Sequence, residues 1–166
     1  MSMKYCIECG AKLIEKNHEH EGIVPFCPNC NDYRFPIYSS AVSMVVVNKD
    51  LTKTLLIKQY GRERDILVAG YINKGEAAEE AVYRELKEEV GLTPISICFQ
   101  ESKYWPKSNA LIFNFLCVVD NEDINPNYEI DSYKWYDIHE AYSIVDKTRL
   151  VGYFYSIFYL NNVTKR

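Results

Sequence analysis

From about Pro36 onward, short apolar runs alternate with polar connections. "AVSMVVV" (Ala41–Val47), "TLLIKQY" (Thr54–Tyr60), "DILVA" (Asp65–Ala69), "ISICFQ" (Ile95–Gln100) and "ALIFNFLCVV" (Ala110–Val119) are rich in β-branched and aromatic residues. Turn-forming or charged residues bound each run, which predicts strands. "YKWYD" (Tyr133–Asp137) reads as a shorter strand, and "NKDLTK" and "YGRERD" as hairpin connections. Helices are predicted over Ala77–Val90, within Ile138–Val145 and within Lys147–Leu160. Strands gathered around one strong central helix predict a mixed α/β or an α+β sandwich. Residues 1–35 hold too few large apolar side chains to fold alone, so the expected division is a small unit, 1–35, and a main domain, 36–166.

Composition narrows the function classes. At 166 residues and 48% hydrophobic, the chain has ample material for a core. A formal charge of −4 without a basic stripe argues against a duplex-binding protein. The longest apolar run, "LVGYFYSIFYL" (Leu150–Leu160), falls short of the about 20 residues a bilayer span needs and is expected as a buried terminal element, so no membrane partner is implied. The opening "MSMKYC" has no apolar h-region, and the expected compartment is the reducing cytoplasm.

Four of the six cysteines form two pairs, Cys6 with Cys9 and Cys27 with Cys30, separated by 17 residues. In a reducing compartment, C-x2-C…C-x2-C spacing fits two knuckles whose thiolates take the corners of a zinc tetrahedron. The metal would supply folding energy that so small a unit cannot draw from a core. Four thiolates leave no open position, so this zinc is structural. His18 and His20 fall between the pairs and are expected as solvated loop residues. Cys98 and Cys117 sit in apolar surroundings and are expected as buried core thiols.

The predicted helix Ala77–Val90 and the residue before it carry six acidic residues, Glu76 included. At 100° per residue, Arg84, Glu85, Glu88 and Glu89 fall within an arc of roughly 140°, while Val82, Leu86 and Val90 gather on another face. Glu85 and Glu89 stand i,i+4, where like charges repel by a few tenths of a kcal/mol. A hard divalent cation, Mg2+ or Mn2+, would turn that repulsion into coordination.

The stretch "GYINKGEAAEEAVYRELKEEVGL" (Gly70–Leu92) resembles the Nudix hydrolase signature, G-x5-E-x7-R-E-U-x-E-E-x-G-U with U aliphatic. Gly70, Glu76, Arg84, Glu85, Leu86, Glu88, Glu89, Gly91 and Leu92 all match. The resemblance implies a loop–helix–loop on an α/β/α sandwich with a mixed sheet, and cleavage of a phosphoanhydride in a nucleoside diphosphate derivative. It also implies that Glu85, Glu88 and Glu89 bind the catalytic metal, that Arg84 orients them, and that Glu76 braces the loop. Glu88 or Glu85 would be the general base.

A zinc ribbon ahead of such a domain is similar to the NADH pyrophosphatase branch, whose members also remove NAD caps from RNA and are typically dimers. That likeness implies NAD(H) as the nucleotide substrate, split to nicotinamide mononucleotide and AMP, and a homodimer. Phe35 stands where the branch has an aromatic that stacks on nucleotide bound to the partner subunit. Tyr71, directly after Gly70, stands where it has a phenylalanine that stacks on a base, and Glu129 matches a further carboxylate. The branch element S-Q-P-W-P-F-P-x-S reads "SKYWPKSNA" here. Ser102, Trp105 and Pro106 agree, whereas Lys103, Tyr104, Lys107, Ser108 and Ala110 do not. The substrate is therefore less defined than the reaction: ADP-ribose and dinucleoside polyphosphates compete with NAD(H), and Lys103 and Lys107 could meet extra phosphate or be solvated. The rival class is a nucleotide-sensing module without activity. Such modules typically lose box carboxylates, and all three are present here.

Overall fold

The structure, a computed structural model, describes residues 3–164. It divides into two units, Met1–Tyr38 and Ser39–Arg166.

The first unit is a three-stranded antiparallel sheet of β1 (Ile14–His18), β2 (Gly22–Cys27) and β3 (Asp32–Tyr33). Its small core contains Val24, Phe26 and the thiols of Cys6 and Cys27. Each cysteine pair sits in a tight turn that ends in a left-handed residue, Gly10 (φ 73°) after Cys9 and Asn31 (φ 54°) after Cys30. His18 closes β1 and presents its ring to the edges of Tyr33 and Phe35, so it is a packed strand residue and not a solvated loop histidine. His20 is exposed.

The second unit is a mixed six-stranded sheet with a helical layer on each face. Its strands are β4 (Ser39–Asn48), β5 (Lys53–Gln59), β6 (Val68–Tyr71), β7 (Ser96–Trp105), β8 (Ala110–Val119) and β9 (Ile130–Asp137). The order is β7-β8-β4-β5-β9, with β4 and β8 parallel and the other pairings antiparallel. Along its other edge β4 has two partners: β6 through Ala41–Met44 and β5 through Val46 and Val47. β6 thereby delivers its C-terminal end, Gly70–Tyr71, to the loop that enters helix α1 (Ala78–Val90).

Alternation along β4 divides the core. Val42, Met44 and Val46 join Val82, Leu86 and Val90 of α1 on one face. Val45 and Val47 join Val151, Phe154, Tyr155 and Phe158 of helix α3 (Leu150–Asn162) and Ala141 of α2 (Ile138–Ile144) on the other. The long apolar run near the C-terminus is thus a buried helix. Among the described residues no helix is long and apolar enough to cross a membrane.

Three expectations need correction. β6 begins at Val68 and runs through Gly70, whereas Ile66 makes only an isolated bridge to Ile57. β7 continues past Gln100 to Trp105 because a bulge between Phe99 and Glu101 reverses its alternation. Ile97 packs with the α1-side core, whereas Glu101 reaches Tyr153 of α3. Cys98 is exposed on this edge strand, not buried; Cys117, on the central β8, is fully buried.

Candidate active site

Helix α1 starts with the Glu80 carboxylate accepting the Ala77 N–H (2.8 Å) and ends on Gly91 at φ 76°. There the Gly91 and Leu92 amides return to the Lys87 and Leu86 carbonyls, both at 3.2 Å. A side chain at Gly91 would also strike Asn125 at 2.9 Å. The segment after β8 closes over this end: the Asn125 and Asn127 amides donate to the carbonyls of Val90 and Glu89, each at 2.9 Å, which sets Glu129 beside the helix.

Arg84 organises the acidic residues. Its Nε and Nη2 grip both oxygens of Glu76 at 2.7 and 2.8 Å. Nη1 donates to Glu85 Oε1 (2.7 Å) and Glu88 Oε2 (3.2 Å), and Nη2 donates to the Tyr71 carbonyl (2.9 Å). All five guanidinium N–H groups are thereby engaged. Glu76 also accepts the Asn73 amide at 2.9 Å. Arg84 and that amide hold its carboxyl at about 2, so it is ionised throughout the physiological range.

The three helix carboxylates differ in exposure. Glu85 is 12% exposed and Glu88 is 59% exposed. Glu89 is only 5% exposed. It stands at the end of the arc, next to the Val82 stripe that enters the core. Burial, with the neighbouring charges of Glu85 and Glu129 adding to it, pushes its carboxyl up to about 8, although Gln59 Nε2 donates to it at 3.3 Å. Glu129 accepts from the Tyr60 hydroxyl at 2.7 Å, which raises that phenol to about 12.

Gly70 has a spatial reason: a Cβ there would lie 2.0 Å from the Glu85 carboxyl carbon. Since Gly70 faces α1, Tyr71 projects to the opposite face of the sheet, 60% exposed. Phe35 belongs to the first unit and is 52% exposed, with one ring edge against His18. Lys103 lies over the Tyr153 ring at 3.6 Å. Gln59, Tyr60 and Asn73 were not singled out from the sequence. Gln59 could have been, because it continues the Leu55–Ile57 stripe of β5 toward α1 with a polar side chain.

The donor chemistry fits a hard divalent cation. Glu85, Glu88, Glu89 and Glu129 supply carboxylate oxygens, and the burial and neighbouring negative charge that raise Glu89 are what a cation would offset. Glu85 and Glu88 are turned onto Arg84 Nη1, and among the described residues only the cysteines bring ligand atoms into one cluster. The sulfurs of Cys6, Cys9, Cys27 and Cys30 all lie within 4.8 Å of one another, with Cys6–Cys30 at 3.8 Å and Cys9–Cys27 at 3.5 Å. A zinc tetrahedron with Zn–S near 2.3 Å has edges of about 3.8 Å, so the set fits zinc. The buried Arg34 supports it: Nε donates to Cys6 Sγ at 3.3 Å, while the rest of the guanidinium holds Asp32 and Glu8. The Cys9 amide and Arg34 draw the Cys6 thiol down to about 6, toward the thiolate a metal requires.

A carboxylate-studded loop–helix–loop on a mixed sheet between two helical layers defines the class of protein. The NUDIX domain matches residues 37–154, and the chain belongs to the Nudix family. It is similar to the NAD-capped RNA hydrolase NudC of Vibrio parahaemolyticus (26% identity over 143 residues, 84% of this chain and 53% of that one). It is also similar to NudC of Chromobacterium violaceum (30% over 141 residues, 82% and 51%). The chain spans about half the length of the curated relatives it matches. Among solved structures, a Nudix hydrolase from Nitrosomonas europaea superposes with a TM-score of 0.64 at 20% identity, covering 94% of this chain and 88% of that one. The Nudix domain of Shewanella oneidensis NrtR, complexed with ADP ribose, gives 0.57 at 16% identity, covering 72% and 83%.

Proposed function

We propose that the chain is a divalent-cation-dependent pyrophosphohydrolase that cleaves the diphosphate of an NAD(H)-type dinucleotide to nicotinamide mononucleotide and AMP. The observation that carries this is the bracing of Glu85 and Glu88 by one fully engaged arginine beside the buried Glu89. Magnesium bound by Glu85, Glu88 and Glu89 would neutralise the diphosphate and acidify a water. The residues do the rest. Arg84 fixes Glu85 through a charge-assisted bond and ties it to the Glu76 loop and the Tyr71 backbone, so the carboxylates are pre-positioned. Glu88, the most exposed of the three and held by a single 3.2 Å contact, takes the proton of the attacking water as the new P–O bond forms and the anhydride P–O bond breaks. Gln59 and Tyr60 position Glu89 and Glu129. Tyr71 offers an open ring for a base.

Zinc on Cys6, Cys9, Cys27 and Cys30 is structural in this reading, and the setting is the reducing cytoplasm that keeps such thiolates available. The reading includes a homodimer in which the exposed Phe35 stacks on nucleotide bound to the partner subunit. The resemblance to NudC supports the dinucleotide and makes NAD-capped RNA a second substrate to test.

Incubation with Mg2+ and NADH, NAD, ADP-ribose, diadenosine tetraphosphate and NAD-capped RNA, with products read by mass, tests the proposal. Nicotinamide mononucleotide plus AMP is expected. Tight binding without turnover of any compound would make this a sensor and overturn the reading.

A further inference from the structure

On the face of the sheet away from α1 lies a cavity of about 590 Å3. Its floor comes from the second core and adjoining strand residues, including Ala41, Ser43, Ala69 and Ile112, with Trp105 at its side. Four cations line it from separate segments: Arg62 and Arg64 from the β5–β6 connection, Lys107 from the β7–β8 turn, and Arg149 just before α3. Among the described residues no aspartate or glutamate does. Arg149 pairs with Asp146 at 2.9 Å, but among the described residues Arg62, Arg64 and Lys107 have no ion pair. In a chain of net charge −4, three cations without an ion pair, Lys107 among them lying over the Trp105 ring at 5.7 Å, gather around one apolar cavity. The first turn of α3 adds to it. Leu150 and Val151 line the cavity, and that turn has neither a side-chain cap nor an acidic residue of its own.

The cavity shares a strand with the candidate site. Ala69 lines it, and Tyr71, two residues further along β6, projects to the same face while Arg84 holds its carbonyl. A volume near 590 Å3 is the size of a nucleotide group. The diphosphate under cleavage belongs at α1, where the carboxylates are, so these cations await another anion.

Resting on the pyrophosphohydrolase reading, we propose that the cavity is a specificity pocket for a phosphate additional to the scissile diphosphate. The preferred substrate is then a dinucleotide bearing a phosphomonoester on its ribose. Lys107 stands within the "SKYWPKSNA" departure from the branch pattern, which is where a change of substrate would be written.

Two readouts on the purified full chain test this. Initial rates with Mg2+ compare NADPH and NADH, which differ by one ribose 2′-phosphate, and NAD-capped RNA runs beside them. NADPH is expected to have the higher kcat/KM by about tenfold or more, the worth of one charge-assisted hydrogen bond. That ratio should collapse in the Arg64→Ala/Lys107→Ala double variant but persist in Lys53→Ala, a surface change outside the cavity. Equal or better use of NADH, or preference for NAD-capped RNA over NADPH, would overturn the proposal. Independently of turnover, titration calorimetry compares adenosine 2′,5′-bisphosphate with AMP. Tighter binding of the bisphosphate, lost in the double variant, supports the pocket even if no dinucleotide is cleaved; equal binding in the intact chain refutes it.

Discussion

Gly70→Ala tests the link between fold and chemistry at one atom. The new Cβ would meet the Glu85 carboxyl carbon at 2.0 Å and its two oxygens at 2.2 and 2.4 Å. An ordinary contact is 3.4 Å or longer, so the carboxylate must retreat by at least about 1.4 Å. The backbone adds no obstacle, because Gly70 does not occupy the left-handed region. The carboxylate cannot retreat freely, since Arg84 Nη1 holds it at 2.7 Å and it is largely buried. Losing that charge-assisted bond costs roughly 1.5–3 kcal/mol. For a chain of this size the thermal midpoint should then fall by roughly 3–12 °C. Displacing a positioned group by an ångström or more should cost about 100-fold in kcat. Steady-state kinetics with whichever compound of the substrate panel is turned over, together with thermal denaturation, measure both effects. A double-mutant cycle sharpens the test: in a Glu85→Ala background the clash has no partner, so Gly70→Ala should no longer destabilise. Undiminished turnover in the single variant, or equal destabilisation in both backgrounds, would refute the steric reasoning.

Other outcomes follow from the same geometry. Arg84→Lys keeps the charge but cannot grip Glu76, Glu85, Glu88 and the Tyr71 carbonyl together; kcat should fall at least about tenfold, and the Mg2+ concentration for half-maximal rate should rise. Glu89, pushed up to about 8 against an ordinary 4.5, keeps a proton in the folded chain that the unfolded chain has released. Stability in Mg2+-free buffer should therefore decline as pH rises from about 4.5 through 8, and Glu89→Gln should flatten that decline when the thermal midpoint is followed against pH; a decline of the same size in the variant would contradict it. Elemental analysis should find one zinc per chain, and Cys27→Ser should expose residues 3–38 to limited proteolysis while residues 39–164 resist.

The central strands were legible because β4 and β8 are covered on both faces and read as continuous apolar runs. β7 was only half legible: it is an edge strand, and the bulge near Gln100 moves its second half to the other face without a turn signal. The same edge position explains why Cys98 is exposed in an apolar-looking segment. The acidic helix was legible as a register of charges, and its angles set Glu89 beside the Val82 stripe and Glu88 away from it, but they could not show how deeply Glu89 is covered. That depends on the β8–β9 segment folding over the end of α1. The cavity cations come from three separate connections, and only the topology brings them to one place.

The most direct test is the binding of Mn2+ in the presence of AMP, followed by electron paramagnetic resonance in the intact chain and in a Glu85→Gln/Glu88→Gln variant of unchanged fold. The intact chain should immobilise manganese and the variant should leave it free in solution. Equal binding by both proteins, or none by the intact chain, would contradict a metal site on α1.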